Sequence, residues 1–205
     1  MSFLLLSCCQ REGVRFWYFH VGRFLRACFY GHEIRKALGM DPLLDEKIVL
    51  TVSRSFVEYM EEQLHIQAWR EAYGPSVNEG LCYESTTALP FSGDFSGSLY
   101  FCMDGYTRLK LLPLIAETFQ IDSVAKGMAD SILAEFANQI SFRILHEFDD
   151  AGYQLHLQPP ESLNHKLVSI NLQNQRQYIV IFFIEDRQKK QYLGRCHVVL
   201  VLDKF

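Results

Sequence analysis

Two apolar runs near the C-terminus constrain the fold more than any other feature. "QYIVIFFIED" (177–186) and "GRCHVVLVLD" (194–203) are rich in β-branched and aromatic residues, and the polar segment "RQKKQYL" separates them. Runs of this kind joined by a short polar segment predict an antiparallel hairpin. A strand pair this apolar needs other elements packed against it, so the rest of the chain has to supply a second layer.

The remaining pattern fits that demand. From Asp45 to about Ile66 the residues Ile48, Val52, Phe56, Met60 and Leu64 recur every fourth position, which predicts an amphipathic helix. "YGPSVNEG" reads as a break. "STTALPFSGDFSGSLYFCMD" reads as strands joined by a tight turn at Gly93 and Gly97. "TRLKLLPLIAETF" reads as a second helix, with Pro113 expected near its first turn. A third helix is expected from about Asp122 to Glu147, followed by the strand "YQLHLQPP", closed by prolines. Three helices and about six strands in mixed order predict a two-layer α/β sandwich (α+β), a mostly antiparallel sheet with helices on one face.

Composition bounds the function classes. With 205 residues, 49% hydrophobic and 21% charged, the chain can bury one proper core, alone or with an appendage. A net charge of −4 gives no reason to expect a nucleic-acid partner. The six cysteines form no C-x-x-C pair and no zinc-like spacing with histidine, so reduced thiols in a cytoplasmic protein are expected. No apolar run reaches the roughly eighteen residues of a membrane span, and the start "MSFLLLSCC" lacks the basic segment of a secretory signal. Residues 1–39 stand apart: six basic residues against two acids leave them at +4, and the remainder at −8. They read as an N-terminal extension outside the fold, with the domain running from Met40 to Phe205. "GDFSG" lacks the lysine and spacing of a phosphate loop, the seven histidines are scattered, and no nucleophile elbow is present.

Chemistry points to "DSILAEFANQISF" (130–142) on the third helix. One arc collects Ala129, Ile132, Leu133, Phe136, Ala137, Ile140 and Ile144 and faces the core. The opposite arc collects Ser131, Glu135, Asn138, Gln139 and Phe142. Glu135 and Asn138 are i,i+3 neighbours and project together. An exposed Glu and Asn on an amphipathic helix are ordinary by themselves. Asparagine, however, is a poor helix-interior residue, and the Phe142 ring on the same edge suggests a partner surface.

Glu135-Phe-Ala-Asn138 resembles the E-x-x-N signature of the CheC/CheX chemotaxis phosphatases. The order of elements also resembles that family: a glycine-bounded turn (Gly93–Gly97), the strand "SLYFCMD", a short helix, the signature helix, and a strand ending at Pro159. A single E-x-x-N makes the chain similar to the CheX branch. That resemblance implies a phosphatase (hydrolase) acting on the aspartyl-phosphate of a response-regulator receiver domain such as CheY. Glu135 would pair with the receiver's lysine, Asn138 would hold the attacking water, and Ser131, Gln139 and Phe142 would border the partner. It implies no metal and no cofactor held by this chain, since the divalent ion comes bound to the receiver. It also implies homodimers built through sheet edges. Two positions depart from the family pattern. Phe142 stands where a glycine is common, and its ring would either pack on the receiver or crowd Asn138. Ser131 stands where many relatives carry an acid, with Asp130 beside it. The alternative function is a non-catalytic binding or scaffold domain for a phosphorylated partner.

Overall fold

In a computed structural model the described residues are 42–125 and 127–203; the expected extension, residues 1–39, lies outside them. Helix α1 (Pro42–Leu64) opens this part of the chain. Its apolar stripe is buried as expected, with Phe56 and Met60 fully inaccessible, and Phe56 stacks on Phe182 with ring centroids 4.1 Å apart. The helix stops where His65 adopts a left-handed conformation (φ 55°). The Ile66 N–H then bonds back to the Met60 carbonyl, 3.2 Å away, satisfying an end that would otherwise be orphaned.

The strands are β1 (Gln67–Ser76), β2 (Gly80–Leu81), β3 (Ser85–Gly93), β4 (Gly97–Met103), β5 (Leu155–Leu157), β6 (Glu161–Ser162), β7 (Val168–Ser169), β8 (Gln175–Asp186) and β9 (Gln191–Asp203). Seven of them form one sheet in the order β1-β8-β9-β4-β3-β5, with β6 also pairing with β3; every pairing is antiparallel. The β8–β9 hairpin is its centre, as the two apolar runs require. β9 begins earlier than expected, at Gln191, because the tip closes at residues 187–190.

Helices α2 (Gly105–Thr118) and α3 (Met128–Asp150) complete the helical layer. The Asp104 carboxylate accepts from the Thr107 N–H at 2.7 Å and so starts α2 ahead of the expected point. Pro113 therefore lies inside the helix rather than in its first turn. Its ring is exposed, and buried Leu111, Ile115 and Ala116 hold the helix past the missing hydrogen bond. Among the described residues the fold is thus α+β, an antiparallel sheet with a layer of three helices.

Three strands, β1, β2 and β7, lie where the sequence reading placed a break at "YGPSVNEG" or no element. β1 includes Gly74 and Pro75 of "YGPS", which a sheet edge tolerates because no outer neighbour needs the proline's missing donor. β2 and β7 pair into a separate two-stranded sheet. Leu81 and Ile170 there pack with Cys102, Val199 and Val201 in a second apolar cluster, so apolar side chains on both faces of β9 are buried.

The Gly93–Gly97 turn positions the end of α3. Gly93 has φ 144°, and a Cβ there would lie 2.0 Å from the Gln154 carbonyl oxygen. Between the glycines, Phe95 points inward and meets Phe91, Phe148 and Tyr153 edge-on. The turn is therefore a clamp on the C-terminal end of α3, not a ligand loop.

Candidate functional site on helix α3

The third helix starts at Met128, later than expected, after Gly127 in a left-handed conformation. Of its inner arc, Ile132, Leu133, Phe136, Ala137, Ile140 and Ile144 are buried, and Ala129, in the first turn of the helix, is half-buried. Ser131, Glu135 and Phe142 are exposed, with Phe142 at 68%, and Asn138 is half-buried between them. At about 100° per residue these four positions fall within a stripe roughly 60° wide. The helix therefore lines them up along its outer surface.

Gln139 departs from that stripe. It turns toward α1, where its carboxamide oxygen accepts from the Tyr59 hydroxyl at 2.8 Å. Its amide nitrogen donates to Glu135 Oε1 at 2.9 Å. Tyr59 is itself 4% exposed and packs edge-on against Phe136, centroids 5.6 Å apart. Burial foremost, and then the neighbouring Glu135 charge, push the Tyr59 phenol up to about 12, against the opposing pull of Arg143. The phenol thus stays a hydrogen-bond donor across the physiological range. Arg143 completes the seam by pairing with Glu62 of α1 through its Nη2.

Tyr59, Gln63, Asn138, Gln139, Phe142 and Arg143 border a shallow depression of about 290 Å³. Among the described residues, none holds the Asn138 carboxamide. A carboxamide in that condition can accept a hydrogen from water and donate to an oxyanion without changing charge. Glu135 is engaged by Gln139 through one carboxylate oxygen, Oε1, and a carboxylate oxygen can accept a charge-assisted hydrogen bond from a cation. An open depression of this kind can hold water at the helix surface but encloses no small substrate.

Asp130, the acid next to Ser131, is used differently. Its Oδ1 accepts from Arg108 Nη2 at 2.7 Å and from Asn164 Nδ2 at 2.9 Å. Tyr59, Glu62 and Arg143 were not singled out from sequence. Their signal was absent there, because which residues of α1 meet α3 is set by helix docking. Among the described residues, no three His, Cys, Asp or Glu side chains gather as a metal site, and no helix is long and apolar enough to cross a membrane.

Residues 85–184, which include Glu135 and Asn138, match the family model "Chemotaxis phosphatase CheX". No curated protein matches the chain. Solved structures share the fold. The chemotaxis protein CheX from Desulfovibrio desulfuricans aligns over 77% of this chain and 99% of its own, with 12% identity and a TM-score of 0.60. The CheX of Vibrio vulnificus aligns over 77% and 99%, with 12% identity and a TM-score of 0.57. A CheC-like superfamily protein from Shewanella sp. PV-4 aligns over 80% and 100%, with 10% identity and a TM-score of 0.58. Over residues 85–184, which include the signature helix, the chain is thus similar to the CheX family, and it shares its fold with CheX and CheC-like proteins.

Proposed function

We propose that this chain dephosphorylates the aspartyl-phosphate of a CheY-like response-regulator receiver, with Asn138 positioning the water and Glu135 docking the helix. The observation that carries this reading is the Asn138 carboxamide, unclaimed by the described residues and flanked by exposed Glu135 and Phe142 on a rigid helix. The match of residues 85–184 to a chemotaxis phosphatase supports the reaction class.

An acyl phosphate is already activated, so what the receiver lacks is a water held in line with phosphorus. The water oxygen forms the new P–O bond as the bond to the aspartate oxygen breaks. The aspartate leaves as a carboxylate, inorganic phosphate is released, and the water's proton passes to phosphate or solvent. Asn138 Oδ1 accepts one hydrogen of that water, fixing its lone pair toward phosphorus. The Glu135 carboxylate pairs with the receiver's lysine and sets the register of Asn138. Ser131 and Phe142 border the docked partner. The divalent ion and lysine of the reaction belong to the receiver, and the chain itself acts as a cytoplasmic protein without a cofactor.

The test is the decay of a receiver's aspartyl-phosphate with and without this protein. Acceleration by the wild type, reduced on the order of a hundredfold in Asn138→Ala, is expected. Full acceleration by Asn138→Ala would remove Asn138 from the mechanism, and no acceleration by the wild type with any cognate receiver would remove the activity.

A further inference from the structure

We propose that Gln139 and Tyr59 are positioning residues for Glu135: a relay running from the core hydroxyl of α1 to one carboxylate oxygen on the surface of α3. The inference rests on the phosphatase reading for its consequence, though not for its geometry. The Tyr59 hydroxyl donates to Gln139 Oε1 at 2.8 Å, and Gln139 Nε2 donates to Glu135 Oε1 at 2.9 Å. An amide oxygen only accepts and an amide nitrogen only donates, so the chain has one direction, and it ends on an acceptor that is a carboxylate. Donation into the amide oxygen polarises the amide and strengthens its bond to Glu135.

The anchor lies in the core. Tyr59 is buried against Phe136, so the hydroxyl is held where the two helices meet. Glu135 is exposed, and an exposed glutamate loses rotamer freedom when it docks. Holding Oε1 beforehand removes part of that loss and leaves Oε2 facing outward for the partner's cation. Arg143, on the same seam, pairs through Nη2 with Glu62 of α1. Gln139 thus acts through Glu135, whereas its place in the sequence pattern had put it among the partner contacts.

Binding of a receiver domain loaded with beryllium fluoride and magnesium tests the relay. Gln139→Met and Tyr59→Phe are measured alone and in a Glu135→Ala background. Each single change is expected to weaken binding and raise KM about fivefold, with a smaller loss in kcat. In the Glu135→Ala background the same changes should have no further effect. Wild-type affinity in Gln139→Met would overturn the relay. So would a weakening that persists without Glu135, which would mean that Gln139 touches the partner itself. If the wild type binds no receiver, the phosphatase reading fails, and the relay is then decided by NMR on the protein alone. Tyr59→Phe and Glu135→Ala should each shift the Gln139 side-chain amide resonances; unmoved resonances would overturn it.

Discussion

Two carboxylates on α3, Asp130 and Glu135, have opposite fates although they lie five residues apart on one helix. Five residues place them about 140° apart around the helix axis. Asp130 faces neighbours: Arg108 from α2 and Asn164 both donate to one of its oxygens. Asn164 in turn accepts from the Thr86 N–H of β3 at 2.9 Å. The carboxylate is therefore part of a stitch joining two helices, the sheet and the segment beyond β6. Glu135 faces outward and has one oxygen held by Gln139. The comparison teaches that an acid in this helix is read by what crosses its face: Asp130 is engaged by neighbouring elements, whereas Glu135 is held, among the described residues, only by a residue of its own helix.

Exchanging the two roles should produce effects of different kinds and sizes. Glu135→Ala should lower kcat/KM for receiver dephosphorylation by roughly thirtyfold or more, mainly through KM, while the thermal midpoint stays near that of the wild type. Asp130→Asn should do the reverse. Arg108 and Asp130 are partly exposed, so after solvent screening its loss amounts to about 0.5–1 kcal/mol of stability, with kcat/KM unchanged. Loss of activity without loss of stability in Asp130→Asn would erase the distinction. Phe142→Gly probes the outward stripe more gently. Its ring is 68% exposed beside Asn138, so docking should weaken a few-fold, plus about 1 kcal/mol of helix stability for the glycine itself. Faster turnover in that variant would instead show that the ring crowds the water site.

The smallest effect is expected beneath the other face of the sheet. There His197 is partly buried, and its Nδ1 meets the Tyr83 hydroxyl at 2.8 Å. Burial first, then the Arg195 charge, hold its pKa below the usual histidine range, against the pull of Asp104 and Glu71. The folded state thus binds this proton less readily than the unfolded one, so stability falls as pH drops through the unfolded value, about 6.5. His197→Gln should flatten the dependence of the unfolding midpoint on pH between about 7 and 5; an unchanged slope would assign it to other groups.

How much of this could be read from the chain differs by element. The five-residue stripe of α1, the inner arc of α3 and the β8–β9 hairpin rest on local periodicity, and each is where its pattern placed it. β1 was hidden because its glycine and proline are punctuation in most contexts and acceptable only at an edge. β2 and β7 were hidden because strands of two residues have no period to detect. The outward line of Ser131, Glu135, Asn138 and Phe142 was legible from spacing alone. The inward turn of Gln139 was not, since it depends on Tyr59 arriving from eighty positions away. Nor was the engagement of Asp130, which waits on Arg108 and Asn164.

The most direct test is single-turnover dephosphorylation of a receiver at saturating concentrations of this protein, comparing wild type with Asn138→Ala. Saturation removes docking from the rate, leaving the water-positioning step. If Asn138 orders the nucleophile, the saturated rate falls toward the receiver's own rate of phosphate loss while the affinity for its beryllium fluoride form is kept. A saturated rate equal to the wild type's, or a loss seen only in affinity, would contradict that role.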